Sequence, residues 1–326
     1  MQLYIIGNGF DRYHGLNTSY QSFGFYLQDN YSDIYDMLIQ YYGLPELDRD
    51  DDSSFNDPLW SVFEATLAGL DSEIVLEEFI GSLPNLSSDD FREADRSDFQ
   101  YAIKSVVENL TTKMFKAFKE FILKVKFPGE INELRLNINT GARFLNFNYT
   151  NSLEILYNVS PSNILYIHNS ANIKDSILIL GHGTDPENFK FKEPEPPEGL
   201  SEEELWEWRD REGDNFDISY EWGKDEIETY FTKSFKHTNK IISDNLSFFN
   251  SLSNINEVII LGHSLADVDK AYIAKVFNSI KEGANWSVSY YSDWEKESHI
   301  EKLTTLGVNP NKMKLFKMNE IKKTSI

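Results

Sequence analysis

The sequence predicts an α/β fold of Rossmann-like type, with a mostly parallel sheet between helices. Short runs of consecutive apolar residues recur along the chain, which is typical of strands buried on both faces. Helical stretches at residues 152–158, 266–281 and 293–306 lie between several of these runs, and this alternation is typical of parallel sheets. The predicted strands are residues 3–6, 144–145, 164–167, 177–180, 258–261, 288–291 and 313–316.

A helical insertion is predicted between the first strand and the rest of the sheet, at residues 31–129. Apolar residues recur there at helical spacing, as at Trp60 and Phe63, and the stretch ends at Pro128. The remaining residues, 1–30 plus 130–326, are predicted to form one Rossmann-like nucleotide-binding domain.

Residues 185–228 form a strongly acidic segment, with 17 Asp or Glu residues against 5 Lys or Arg residues. Pro194, Pro196 and Pro197 disfavour regular structure around them. One interpretation is an exposed loop with a short tryptophan-bearing helix at residues 205–209, and the other is a lid or partner-binding surface.

The composition limits the classes of function. Among the 326 residues, 53 acidic against 31 basic side chains give a net charge of −22, and such a field repels nucleic acid and anionic membranes. The chain contains no cysteine, which excludes disulfides, thiolate metal sites and a cysteine nucleophile. No apolar run reaches the ~18 residues of a membrane-spanning helix, and no basic leader precedes the first strand, so we expect a cytoplasmic protein.

A glycine-containing turn follows the first strand, at Gly7, Asn8 and Gly9. Exposed amide groups in such a turn suit a phosphate or pyrophosphate, although a tight structural turn explains the glycines equally well. Phe10 and Asp11 come next, and Asp11 either caps the following turn or contacts a ribose hydroxyl. Further along, Thr18 is one of three neighbouring residues that could cap the next helix.

Asparagines cluster at the carboxyl end of the predicted strand at residues 144–145. Asn146, Asn148 and Asn151 lie around Tyr149, at an edge where open α/β sheets generally bind ligands. An amide offers both a donor and an acceptor, which suits a carboxamide or a ribose. The alternative is that they cap a helix beginning near residue 152.

Three of the six histidines, His168, His182 and His263, lie at the carboxyl ends of predicted strands. Because the carboxyl ends of parallel strands meet at one edge, we expect a shared site there; the alternative for each is a structural histidine. No carboxylate-assisted histidine spacing accompanies them, so no metal site is predicted. After the strand at residues 258–261, Gly262, Ser264 and Asp267 form either a ligand-binding turn or a helix cap, since the pattern lacks the closing glycine of a nucleophile elbow.

Taken together, these segments resemble the AbiH-like bacteriophage abortive-infection family. The resemblance implies antiphage defence through growth arrest or death of the infected cell, and it allows for a phage-derived trigger and a homo-oligomer. The segments that carry it are residues 3–11, 15–23, 144–151, 166–168, 181–183 and 262–269.

The same order of motifs also resembles the sirtuin-like NAD-binding fold, so NAD is the expected ligand or substrate. By this resemblance, Asn148 lies beside the nicotinamide ribose, and His168, with an ordinary pKa of about 6.5, acts as the base. The residues expected to hold the dinucleotide are Gly7, Asn8, Gly9, Phe10, Asp11, Thr18, Tyr149, Gly262, Ser264 and Asp267.

Two functions of different class remain. One is cleavage of the nicotinamide–ribose bond of NAD by a sirtuin-like site. The other is a non-catalytic nucleotide-sensing or partner-binding module of a phage-defence system. Thr150 and Asn169 stand where the sirtuin-like pattern usually has Asp and Gly, and this difference favours the second function.

Overall fold

A computed structural model describes residues 1–192, 194–214 and 216–321 of the chain. Residue 193 and residue 215 of the acidic segment, and residues 322–326 of the predicted main domain, lie outside the described residues. Six strands form one sheet in the order β3-β2-β1-β4-β5-β6, and every neighbouring pair is parallel. The strands are β1 (Gln2–Ile6), β2 (Arg143–Asn146), β3 (Ile164–Tyr166), β4 (Glu257–Leu261), β5 (Asn285–Ser289) and β6 (Met313–Phe316).

Successive residues of β1 point to opposite faces of the sheet, and both faces are covered. Leu3 and Ile5 pack in one apolar cluster, while Tyr4 and Ile6 pack in another on the opposite face. All four are almost completely buried. This explains why the strand is a continuous apolar run, and it confirms the predicted α/β class with a mostly parallel sheet.

Helices flank the sheet and also build a separate helical layer. Their bounds are α1 (Asn8–Tyr13), α2 (Tyr20–Asn30), α3 (Ser32–Tyr42), α4 (Pro58–Ser61), α5 (Phe63–Thr66), α6 (Ser72–Glu78), α7 (Asp98–Glu108), α8 (Met114–Lys124), α9 (Ser152–Tyr157), α10 (Glu202–Asp214), α11 (Ile218–Lys233), α12 (Thr238–Asp244), α13 (Leu246–Asn250), α14 (Lys270–Ser279) and α15 (Asp293–Thr305). A π-helical turn, Asn109–Lys113, joins α7 to α8. None of the helices in the described part of the chain is long and apolar enough to cross a membrane.

The core of the helical layer draws residues from outside the predicted insertion at 31–129. Phe23 of α2, together with Tyr230 and Phe231 of α11, packs in the same cluster as the insertion's own apolar side chains. Helix α11 therefore belongs to this layer, although it lies in the acidic part of the sequence. The division of the chain into domains stays a prediction.

The acidic segment contains more helix than the sequence predicts. In place of a short helix at residues 205–209, α10 spans 13 residues, and α11 follows it after a short break. Helix α11 buries Ile227, Tyr230 and Phe231, and this burial stabilises a helix whose average composition is polar.

The predicted strand at residues 177–180 is wrong. Leu178 and Leu180 are buried against the helical layer rather than between strands. Side chains take over part of the backbone pairing, since the amide of Asn169 donates to the Ile177 carbonyl at 2.6 Å and the Tyr149 hydroxyl lies 2.8 Å from the Ile179 carbonyl. An apolar run identifies burial, but it does not distinguish a sheet from a helical layer as the surface that covers it.

The order in which the chain adds strands to the sheet reverses between β1 and β4. From β1 the chain order proceeds through β2 and β3 on one side, and through β4, β5 and β6 on the other. Ligands of open α/β sheets bind outside the carboxyl ends of strands at such a switch point. Gly7 and Gly262, which directly follow β1 and β4, lie at this position.

Candidate functional site

The turns after β1 and β4 touch through their backbones. Gly262 adopts a left-handed conformation with φ of +63°, and a Cβ atom there would lie 2.1 Å from the Phe10 nitrogen. A Cβ atom on Gly7 would lie 2.6 Å from the Cα of His263, and one on Gly9 would lie 2.8 Å from the Gly262 carbonyl oxygen. These glycines are therefore required for close approach of the two turns.

Several amide groups expected to hold a phosphate donate within the protein instead. Gly7 N–H donates to the Leu261 carbonyl at 3.0 Å and Gly9 N–H to the Gly262 carbonyl at 2.8 Å, while Phe10 N–H donates to Gly7 at 2.9 Å. The side chains of Asn8 and Thr18 are also engaged, because the Thr18 hydroxyl donates to the Asn8 amide oxygen at 2.5 Å and the Asn8 amide donates to the Thr18 carbonyl at 2.9 Å. In this structure the glycine turn is thus largely self-paired.

Asp11 is a fully buried carboxylate that joins α1 to the turn after β2. It accepts hydrogen bonds from the hydroxyls of Thr150 at 2.5 Å and Ser152 at 2.6 Å. Burial raises the pKa of Asp11 to about 6, although Ser152, Thr150 and Asn148 act in the opposite direction. Thr150 is therefore a hydrogen-bond partner of Asp11.

Asn148 has an unpaired amide in the interior. Its residue is 4% exposed, and neither its amide nitrogen nor its amide oxygen lies within hydrogen-bond distance of a partner among the described residues, although the side chain is near enough to Asp11 to lower the pKa of that carboxyl. Its backbone is fixed, because its N–H donates to the Asn146 side chain at 3.0 Å. Leaving a buried amide unpaired is costly, so its presence at the carboxyl edge of the sheet is consistent with a bound polar ligand.

His168 follows β3 and lies beside the end of β2. Both neighbours of Asn148, Phe147 and Tyr149, pack their rings against it. Its Nε2 atom has no hydrogen-bond partner in the described structure and lies 3.6 Å from Oδ1 of Asp269. Asn169, which follows it, has a φ of +66°, a conformation that asparagine tolerates as glycine does.

The expectation of an ordinary pKa for His168 is wrong. Burial, together with the positive charge of Lys236, lowers the pKa of His168 to about 3, and the negative charge of Asp269 only partly opposes this effect. The imidazole is therefore uncharged at neutral pH. It remains able to accept a hydrogen bond, but it is a weak base.

Only two of the three strand-end histidines meet. His263 Nε2 lies 3.5 Å from Oδ2 of Asp269, so His168 and His263 approach the same carboxylate. His182 packs in a different place, against the rings of Phe189 and Phe231. The apolar run before His182 is not a strand of the sheet, which is why this histidine does not reach the shared edge.

The turn after β4 places its predicted ligand residues away from this cluster. Ser264 and Asp267 are exposed, and Ser264 does not cap α14, which begins at Lys270. Asp267 lines a cleft of about 210 Å³ between α14 and α15, beside Lys270 and Lys302. A second cleft, of about 180 Å³, lies beside the start of α2 and includes Thr18.

Sequence reasoning missed three charged residues of the interior next to the site: Lys236 and Asp269, which act on His168, and Glu64, which pairs with Lys236. The Lys236 ammonium is completely buried, lies 2.5 Å from Oε2 of Glu64 and lies 3.6 Å from Oδ1 of Asp269. Burial would favour loss of its proton, yet Glu64 and Asp269 raise the pKa of Lys236 above the ordinary value. One signal was present, because Glu64 is four residues after Trp60 and so lies on the apolar face of its helical stretch.

The hydroxyls of Tyr20 and Tyr149 complete this network. Both point to Oε1 of Glu64, at 2.7 and 2.9 Å. Asp269 is held ionised, since Lys236 and the neighbouring imidazoles lower its pKa despite burial. Within the described residues, no three histidine or acidic side chains are arranged to hold a metal ion.

The chain matches one known protein family over most of its length. A family model described as bacteriophage abortive infection AbiH matches residues 3–290, which include all of these turns. The chain belongs to the AbiH family. Membership assigns it to antiphage abortive infection. No curated protein and no solved structure matches this AbiH family member significantly.

Proposed function

We propose that this AbiH family member binds NAD at the carboxyl edge of its sheet and hydrolyses the bond between nicotinamide and ribose. The oxygen of a water molecule bonds to C1′ of the ribose as the C1′–N bond breaks, nicotinamide leaves as a neutral base with the bonding electrons, and the proton of the water passes to solvent. The observation that carries the proposal is the pair of unpaired, buried polar groups at adjacent strand ends, the amide of Asn148 and Nε2 of His168. NAD loss in an infected cell would arrest growth, which agrees with a role in abortive infection.

The amide and the imidazole have complementary roles toward a ribose. The Asn148 amide supplies a donor and an acceptor to ribose hydroxyls, while the uncharged imidazole of His168 accepts a hydrogen bond from one of them. Fixing the sugar in this way lowers the entropic cost of reaching the reactive geometry. Both groups gain the hydrogen-bond partner that they lack within the protein.

Asp11 contributes a negative charge. Cleavage of a glycosidic bond passes through an oxocarbenium-like transition state, and a fixed carboxylate in a low-dielectric surrounding stabilises the developing positive charge. The pKa of about 6 means that Asp11 is mostly ionised at pH 7. NAD cleavage is therefore expected to decrease as the pH falls through about 6.

The test is the release of nicotinamide from NAD by the purified protein, followed by chromatography. His168→Ala is expected to lower the rate strongly, while His237→Ala, at an exposed histidine, serves as the matched control. The pH profile is expected to lose its acidic limb in Asp11→Asn. A wild-type protein that binds NAD but releases no nicotinamide would refute cleavage.

A non-catalytic nucleotide-sensing or partner-binding module is the second candidate. The low pKa of His168, about 3, favours it, because so weak a base contributes little to proton transfer. The self-paired amides of the glycine turn also favour it. In that case, NAD or a related nucleotide binds without reaction, and phage protection requires Asn148 for binding alone, with a phage-derived trigger or another partner as the target.

A further inference from the structure

Lys236 is an unusual residue in this fold because its charged side chain is completely enclosed. It lies between α11 and α12, and its ammonium connects Glu64 of α5 with Asp269 at the start of α14. Three distant segments of the chain thus meet at one positive charge. Enclosing an ammonium is expensive unless several acceptors compensate it, so an apolar residue would be the simpler way to fill this space.

The groups that face His168 come from four elements. Asp269 and Lys236 are the nearby charges, and His263 lies across the same carboxylate. The rings of Phe147, Tyr149 and Tyr272 also pack against His168. Asp269 favours an imidazolium at this position and Lys236 opposes it.

His263 and His168 face Asp269 in different ways. Nδ1 of His263 accepts a hydrogen bond from the Leu265 amide at 2.9 Å, which leaves its Nε2 to face Asp269 at 3.5 Å. Nε2 of His168 lies 3.6 Å from the same carboxylate and has no hydrogen-bond partner within the described residues. An uncompensated Asp269 would therefore attract a proton to Nε2 of His168.

We propose that Lys236 is a positioning residue of the candidate site, which keeps His168 uncharged so that Nε2 can accept a hydrogen bond from a ribose hydroxyl. The assignment to a ribose rests on the proposed function. Lys236 itself touches no ligand and acts by compensating Asp269. Without it, Asp269 faces the imidazole as an uncompensated buried carboxylate, and His168 takes up a proton.

Two double variants of equal net charge test this role. Lys236→Met with Glu64→Gln removes the ammonium and leaves Asp269 facing His168. Lys236→Met with Asp269→Asn removes the ammonium together with that carboxylate, while Glu64 keeps the two tyrosine hydroxyls as donors. Each variant neutralises one ion pair of Lys236 and leaves one carboxylate without its cation, so the two share the same destabilising feature and differ in whether that carboxylate faces His168.

The measurement is the protonation of the His168 ring nitrogens by NMR of the full-length protein between pH 5 and pH 8. Wild type is expected to remain uncharged throughout. The variant that retains Asp269 is expected to titrate about 2 to 3 pH units higher than wild type, which brings its midpoint to about pH 5 to 6 and so into the measured range. The variant that lacks Asp269 is expected to behave as wild type. Lys240→Met, which removes an exposed lysine paired with Asp244, is the control.

A merely structural lysine would give a different result. If both double variants fold and leave His168 uncharged, or if both shift its titration equally, Lys236 does not act through Asp269 and the proposal is wrong. The readout does not involve NAD. Absence of nicotinamide release by wild type would therefore refute NAD cleavage while leaving the role of Lys236 to be decided by the titration.

Discussion

Asn148 is the residue whose surroundings are hardest to explain by folding alone. A structural asparagine in the interior pairs its amide, whereas this one is buried with both polar atoms unpaired among the described residues. A buried amide without hydrogen-bond partners lowers the free energy of unfolding. Residues of this kind are expected at binding sites, where the ligand supplies the missing partners.

Asn148→Ala is therefore expected to lower the activity without lowering the stability. NAD cleavage should fall by about 10²-fold, as for loss of one hydrogen-bonding group that stabilises a transition state. The free energy of unfolding should stay within about 0.5 kcal/mol of wild type or increase, because a buried unpaired amide is removed.

Nicotinamide release and urea unfolding of the same preparations provide the check. Asn132→Ala, at an exposed asparagine bonded to Glu130, is the matched control and should leave both quantities unchanged. A large loss of stability in Asn148→Ala would mean that Asn148 is structural.

Asp11 gives a pH-dependent prediction. Since burial raises its pKa to about 6, the folded state holds the proton more tightly than the unfolded state. Its contribution to stability is present below about pH 4 and is lost as the pH rises through about 6. The Asp11→Asn variant has no such carboxyl group and does not lose stability in this way. The free energy of unfolding of the variant minus that of wild type should therefore be about 1 kcal/mol greater at pH 7.5 than at pH 5.

Urea unfolding at the two pH values measures this difference. Asp225→Asn changes an exposed residue of α11 and should show the same stability relative to wild type at both. An Asp11→Asn variant whose relative stability falls between pH 5 and pH 7.5 would contradict a raised pKa.

At the scale of elements, the contact between the turns after β1 and β4 determines the geometry of the edge. Gly262 has both a left-handed backbone and no room for a side chain. Gly283 has a similar φ of +71°, but a Cβ atom there would meet nothing within 4 Å. A comparison of alanine substitutions at the two glycines therefore distinguishes the free-energy cost of the left-handed backbone from the cost of steric overlap.

Gly262→Ala is expected to lower the free energy of unfolding by about 3 kcal/mol or more, since it combines backbone strain with overlap against Phe10. Gly283→Ala should cost about 1 kcal/mol, the contribution of the conformation alone. Urea unfolding of both variants measures these values. Equal losses would mean that the two turns separate easily and that the edge is less rigid than its contacts indicate.

At the scale of the whole molecule, the sheet and the helical layer are held together by shared elements. Phe23 lies on α2 before the predicted insertion, and Tyr230 lies on α11 long after it, yet both are buried among the insertion's side chains. The ion pair of Glu64 with Lys236 joins positions 172 residues apart. These contacts make separate folding of the two parts unfavourable.

We therefore expect one cooperative unfolding transition for the full chain, with coincident changes in tryptophan fluorescence and circular dichroism. Deletion of residues 31–129 should expose Phe23, Tyr230 and Phe231, increase the binding of a hydrophobic dye and abolish cooperative unfolding. Two separated transitions in the full chain, or a cooperative deletion variant, would show instead that the predicted insertion is an independent domain.

The sequence by itself determined the α/β class, the strands of the parallel sheet and the family. These features depend on local patterns, because a strand buried on both faces needs consecutive apolar residues, as in β1, and a close contact between turns needs glycines, as at Gly7 and Gly262. Strand β6 was also recognised, although it is an edge strand in which Lys314 is exposed and only Phe316 is buried.

Only the tertiary structure decided which side chains meet at the edge and what charge they carry. Residues 177–180 are as apolar as a strand, but Leu178 and Leu180 pack in the helical layer and the segment does not join the sheet, so His182 does not meet His168. The low pKa of His168 arises from burial and from the charge of Lys236, whereas the raised pKa of Lys236 arises because Glu64 and Asp269, on segments far away in the chain, outweigh the effect of burial. Charge interactions depend on distance in space, and no periodicity along the sequence reports that distance.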